Sequence, residues 1–199
     1  MTIKEAWGKT WHFLWHENSL ASWVVSLILA FIIVKFIFFP LISLAFGTSL
    51  PLVIVESESM HHPGFLGNIA GTRGYFNRWW DEKGAWYEEE GLNKSKFESW
   101  NLKNGLEMGD IVLVTRASNL KIGDVIIFNA NQNHPIIHRI IDIKKKESGT
   151  YYSTKGDNNP GQLSIEKEIH ESQIVGKAIF RVPKLGWVKL GFVKLFQLF

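Results

Sequence analysis

Three short segments of the chain carry residue types that act together in acyl transfer. Ser57-Glu58-Ser59-Met60 closes a β-branched run, His138-Arg139 lies inside another, and Asp157 sits in Thr154-Lys155-Gly156-Asp157-Asn158-Asn159-Pro160. A hydroxyl at its free pKa is a poor nucleophile. An imidazole, with an ordinary pKa of about 6.5, takes the hydroxyl proton at neutral pH. A carboxylate then fixes the imidazole's tautomer and stabilises its cation. Each segment also has a plainer reading: serine as a strand-end residue, histidine packed among isoleucines, aspartate as a turn former. Spacing alone does not bring the three together, because such triads assemble in any chain order.

The elements that would position them are strands. PLVIVES (51–57), DIVLVTR (110–116), DVIIFNA (124–130), IIHRIIDI (136–143), TYYSTK (150–155) and IVGKAIFRV (174–182) are short and β-branched, with Gly, Asn, Asp and Pro between them. The pattern predicts a mainly β, antiparallel domain over residues 47–182. An aromatic excursion at about 66–108 interrupts it, with Tyr75, Phe76, Trp79, Trp80, Trp86, Tyr87, Phe97 and Trp100 amid near-balanced charge. That composition argues against disorder. The segment reads as an inserted subdomain, helical around 75–90, packed on itself or serving as an aromatic lid or partner surface.

Upstream, Leu20 to Phe46 reads LASWVVSLILAFIIVKFIFFPLISLAF, with Lys35 its only charge. As a helix it would be roughly 40 Å long, enough to cross a hydrocarbon core. Pro40 is expected to kink or end its regular part. The run is about twice the length of a signal-peptide apolar region, so it reads as an uncleaved transmembrane anchor. Lys4 and Lys9 precede it, and no Lys or Arg follows between Gly47 and Leu66. Residues 1–19 are therefore expected in the cytoplasm and those beyond about 47 outside the cell membrane. The tail at 183–199 carries too many lysines for a second span, and its composition suggests contact with lipid headgroups.

Composition bounds the rest. With 199 residues, 46% apolar and 21% charged, the chain holds one domain and an appendage, and is neither disordered nor polytopic. The lack of cysteine excludes a disulfide framework and a thiolate metal site. His12 and His16 have helical spacing and His61-His62 are adjacent, but no third ligand accompanies either pair, so no metal or other cofactor is expected. A net charge of +3, without a phosphate-binding loop or nucleic-acid motif, argues against nucleic acid as a partner.

Taken in order, the anchor, VESESM with Pro63 beyond it, GDIVLV, GDVIIF, IIHRI and TKGDNNP resemble the type I signal peptidase family. The resemblance is closer to its archaeal and endoplasmic-reticulum branch, in which His stands where bacterial enzymes use Lys. It covers the anchor, residues 51–63 and residues 109–182. It implies a signal-peptidase-like β domain and a membrane-bound serine endopeptidase that cuts signal peptides from exported preproteins after small residues. Ser59 would be the nucleophile, His138 the general base and Asp157 the GDNN aspartate, with Ser57 and the Ser59 N–H forming the oxyanion hole. The implied partners are signal-peptide-bearing preproteins, the lipid bilayer and the protein-export channel.

Three departures stand beside the match. Glu58 occupies a place where the family often has Gly, and the aromatic insertion separates the serine segment from the next strand. Leu163 stands where this branch usually has a second Asp. Either Asp157 alone orients His138, or a nearby carboxylate such as Glu166 substitutes, or the protein is catalytically weak. The last leads to a different class, a non-catalytic relative that binds exported chains or a translocation partner.

Overall fold

The computed structural model describes residues 2–62, 73–130, 134–188 and 190–191. The chain divides into two compact units, Met1–Ala45 and Phe46–Phe199.

The first unit is helical. Helix α1 (Ile3–His16) opens on a capping box in which the Thr2 hydroxyl accepts the Glu5 N–H and the Glu5 carboxylate accepts the Thr2 N–H. Helix α2 (Leu20–Ile33) is capped by Ser19, whose hydroxyl accepts the Ser22 N–H. It passes through a π-turn, Val34–Phe38, into α3 (Phe39–Phe46). The π-turn is where Pro40 makes itself felt. A proline ring presses on the carbonyl four residues back, here that of Phe36, and a widened turn relieves the clash. Within it the Phe39 N–H bonds the Val34 carbonyl, five residues back. The regular helix thus resumes beyond the turn instead of ending at Pro40. Leu20–Phe46 spans 27 residues, long and apolar enough to cross a membrane by length and composition. Its lysine, Lys35, lies 5.6 and 5.4 Å from the ring centroids of Phe31 and Phe36.

The second unit is built on a seven-stranded antiparallel sheet: β1 (Leu52–Ile54), β2 (Ile111–Thr115), β3 (Val125–Phe128), β4 (Ile136–Lys146), β5 (Gly149–Lys155), β6 (Ile169–His170) and β7 (Ile174–Val182). Their order is β1-β2-β7-β3-β4-β5-β6. Each of the six strand-like runs in the sequence contributes a strand. β6 is an addition, two residues long, whose Ile169 pairs with Tyr152. The apolar run of β3 is buried throughout because its alternate residues feed two cores. Val125 and Ile127 join Val55, Met60, Val112 and Val114 on one side, while Ile126 and Phe128 join Ile140 and Ile169 on the other.

The insertion forms helix α4 (Arg73–Glu89), matching the helix expected around 75–90, and a short α5 (Lys94–Glu98) capped by Asn93. Their rings make a third core of Phe76, Trp79, Trp80, Tyr87 and Phe97, which reaches Ile141 on β4. After β7 the chain folds back on the start of β2: the Gly186 N–H bonds the Gly109 carbonyl at 2.8 Å, and Lys184 Nζ meets Glu107 at 2.6 Å. Residues 63–72, which hold Pro63 and the start of the insertion, 131–133, 189 and 192–199 lie outside the described residues, and with them about half of the tail expected to meet lipid.

Candidate active site

The serine segment follows β1 and is gripped by the GDNN loop through the backbone. The Ser59 carbonyl accepts the Asn158 N–H at 2.8 Å, and the Glu58 carbonyl accepts the Asn158 side-chain amide at 3.1 Å. This leaves the Ser57 and Ser59 hydroxyls 3.2 Å apart. The Glu58 side chain between them is exposed to solvent.

His138 stands on β4 opposite Ile126 and is buried. Its Nδ1 bonds a carboxylate oxygen of Glu166, itself fully buried. A carboxylate only accepts, so Nδ1 carries a proton, and in the neutral ring the lone pair is then on Nε2. Nε2 faces Gly156: a Cβ added there would stand 2.7 Å from Nε2 and 2.8 Å from the Ser59 carbonyl oxygen. The bare glycine lets the histidine and the serine loop approach each other. Glu166 is held in turn by the Leu163 N–H, 2.7 Å from its second oxygen. Gln162 pins this turn to β5, its amide bonding the carbonyls of Thr154 at 2.9 Å and Glu166 at 3.2 Å.

Ser57, Ser59 and His138 line one cleft, the Ser59 hydroxyl bonding that of Ser57, and the carboxylate on His138 Nδ1 is that of Glu166 where Asp157 was expected. Asp157 instead binds Arg139, whose Nε and terminal nitrogen lie 2.9 and 2.7 Å from its two oxygens. His62 Nε2 and the Tyr87 hydroxyl each add a bond at 3.0 Å. The reason is strand alternation: neighbours on β4 point to opposite faces, and Asp157 falls on the Arg139 side. Burial alone would raise the Asp157 carboxyl. The Arg139 charge, with hydrogen bonds from His62 and Arg139, overrides it and holds the group well below the carboxylate range.

This second network ties the insertion to the site. The His62 ring stacks on Trp79 at 3.8 Å, and burial lowers its pKa against the pull of Asp157. Lys155 Nζ bonds the Gly156 and Asn159 carbonyls at 2.9 Å each, beneath the rings of Tyr87 and Trp86 at 4.9 and 5.0 Å. Burial lowers the Lys155 ammonium to about 8, against Asp157 and Glu166. In the sequence His62 reads only as a metal-ligand candidate and Tyr87 only as one ring of the excursion, while Arg139 and Lys155 stand in the motifs without a role. Arg139 carried a usable signal, since a charge inside an apolar strand needs a buried partner.

The serines and His138 open on a cleft of about 960 Å³, whose walls include Leu50, Leu52, Ile54, Ile136 and Leu163. Serine hydroxyls and an imidazole oriented by a buried carboxylate, lining one largely apolar cleft, are groups capable of serine-hydrolase chemistry. The sequence is similar to catalytic subunits of signal peptidase complexes. It is 31% identical over 94 residues to sec11 of Dictyostelium discoideum, covering 41% of this chain and 50% of that protein. Against human SEC11C it is 29% identical over 105 residues, 46% of this chain and 53% of the relative. Against SEC11 of Scheffersomyces stipitis it is 29% identical over 100 residues, 46% and 60%. The chain thus spans about half the length of the curated relatives it matches first. No protein-family model matches it.

Proposed function

We propose that the chain is a membrane-anchored serine endopeptidase that cleaves signal peptides from exported preproteins. The observation that carries this reading is the His138–Glu166 pair in the cleft that Ser59 also lines, with Nε2 and the Ser59 carbonyl both close to Gly156. Ser59 attacks the scissile carbonyl, and His138 Nε2 takes its proton and returns it to the leaving amine. Glu166 keeps Nδ1 protonated and stabilises the imidazolium. The Ser59 N–H and the Ser57 hydroxyl hold the oxyanion, such donors being worth about 2.7–4 kcal/mol each. Asp157 is a positioning residue: it neutralises Arg139 and anchors the loop that grips Ser59.

The preprotein lies extended in the cleft, small side chains at the first and third positions before the cut, as the resemblance implies. Leu20–Phe46 anchors the chain, with residues 1–19 cytoplasmic, the β domain outside the cell membrane, and the export channel a partner. An extended chain keeps Ser59 within roughly 45 Å of Phe46. Confining enzyme and signal peptide to one bilayer raises their effective concentration. The exposed Glu58 side chain supports this reading over a non-catalytic binding module, as does the carboxylate on His138 despite Leu163.

The test is cleavage of a preprotein in detergent by the full-length chain beside Ser59→Ala and His138→Ala. Cleavage after a small residue, lost in both variants, is expected. Preprotein binding without cleavage by the unaltered chain would favour the binding module.

A further inference from the structure

Helix α1 carries an apolar stripe that its own unit leaves uncovered. Ile3, Trp7, Trp11 and Trp15 recur every four residues and so line one side of the helix. They are 92%, 67%, 51% and 68% exposed. The tryptophan rings follow one another at 6.4 and 5.6 Å. Glu5, Lys9, His12 and His16 occupy the other side, with the two histidine rings 5.4 Å apart. Tryptophan, with an apolar body and one N–H donor, is the side chain favoured where membrane meets water.

The way α1 is fastened to α2 points to its surroundings. The Ser22 hydroxyl donates to the Phe13 carbonyl at 2.5 Å and the Ser26 hydroxyl to the Leu14 carbonyl at 3.3 Å. The acceptors are adjacent residues near the end of α1, whereas the donors stand a full turn apart on α2. These bonds brace only the C-terminal end of α1 against the opening turns of α2, and the tryptophans remain free. Only residues 17–19 separate the two helices, and α2 begins the segment apolar enough to cross a bilayer. Where that segment enters the bilayer, α1 must stand at the same level.

We propose that α1 lies along the bilayer surface, its Ile3-Trp7-Trp11-Trp15 stripe seated at the headgroup–acyl boundary and its Lys9 side in water. The occupant of the stripe is lipid because its last tryptophan, Trp15, stands only five residues before the membrane-crossing segment begins at Leu20. The side turned to water carries Glu5 and Lys9, one charge of each sign, with the polar rings of His12 and His16. Lys4 projects within the stripe, between Trp11 and Trp15, and reaches the headgroups by its long stem. This inference rests on the reading of Leu20–Phe46 as a membrane span.

The cysteine-free chain allows single nitroxide labels in the full-length protein, reconstituted into phosphatidylcholine–phosphatidylglycerol vesicles. Labels at Trp11→Cys, Lys9→Cys and Phe31→Cys report depth through relaxation by oxygen, which enters lipid, and by a nickel chelate, which stays in water. The expected result is Trp11→Cys severalfold less exposed to nickel than Lys9→Cys and shallower than Phe31→Cys. Equal nickel exposure at the first two positions, with Phe31→Cys deep, would overturn the surface helix and leave the anchor standing. A Trp11→Cys label as deep as Phe31→Cys would overturn it by placing α1 within the bilayer. A Phe31→Cys label open to nickel would sink the anchor and this proposal with it.

Discussion

Glu166 accepts the Nδ1–H of His138 through one carboxylate oxygen and the Leu163 N–H through the other, the latter at 2.7 Å. The position where a second aspartate was expected thus contributes a backbone donor, and the carboxylate arrives from three residues further on. Two acidic roles are thereby divided. Glu166 orients the imidazole, and Asp157 neutralises a buried guanidinium on the opposite face of β4.

Glu166→Gln should lower kcat for preprotein cleavage by about 10³–10⁴-fold, because an amide no longer enforces the Nδ1–H tautomer. Glu166→Asp should recover part of that loss if its shorter carboxylate still reaches the ring. Steady-state cleavage across a pH series checks both. A Glu166→Gln rate within tenfold of the unaltered chain would remove Glu166 from this role.

Asp157→Ala acts elsewhere. It leaves the fully buried Arg139 without its counter-charge. Breaking a buried pair in this way costs about 3–5 kcal/mol, which for a domain of this size lowers the melting temperature by roughly 10 °C. Thermal melts in detergent measure it. A melt coincident with that of the unaltered chain would show that Asp157 does not hold the fold together.

The strands were legible because each is a β-branched run closed by turn residues, and β7 begins and ends where its run does. The two-residue β6 was not, since no periodicity exists at that length. The residues 1–19 were expected only as a flank, although the spacing of Trp7, Trp11 and Trp15 encodes α1. Of the residues that line the cleft, the ordered motifs singled out Ser57, Ser59 and His138. Glu166 stayed one alternative among three because its reach depends on the Gln162–Glu166 turn, which only tertiary hydrogen bonds define. Nothing in the spacing tells that Trp79 would stack on His62, a contact between segments brought together by the third core.

The buried network also gives stability a direction with pH. His62 and Asp157 have pKa values lowered by folding, from ordinary values of 6.5 and 3.8. The unfolded chain therefore takes the proton first. The contribution of each group is complete above its unfolded pKa and is lost as pH falls through its folded one. Acidification should thus weaken the fold first below about 6.5, through His62, and again below about 3.8, through Asp157. Denaturant midpoints at pH 7.5, 5.5 and 4 measure the trend, and His62→Gln should flatten the first part. Midpoints that rise between pH 7.5 and 5.5 would contradict this account.

Gly156→Ala separates geometry from stability. The Gly156 backbone lies outside the left-handed region, so alanine adds no backbone strain and the effect is steric. The new methyl would meet His138 Nε2 at 2.7 Å and the Ser59 carbonyl at 2.8 Å, both closer than real Cβ atoms approach. The Ser59 carbonyl is tied to the Asn158 N–H at 2.8 Å and the imidazole to Glu166, so the methyl must draw one of the two out of place. A displacement of about 1 Å at a reacting group can cost about 10²-fold in rate. Gly156→Ala should therefore lose about that factor in kcat, with KM little changed and the melting temperature lower by only a few degrees. Cleavage kinetics and a thermal melt on the same preparation decide it. Full activity in a normally folded Gly156→Ala chain would mean that the proton leaves Ser59 by a route other than His138 Nε2.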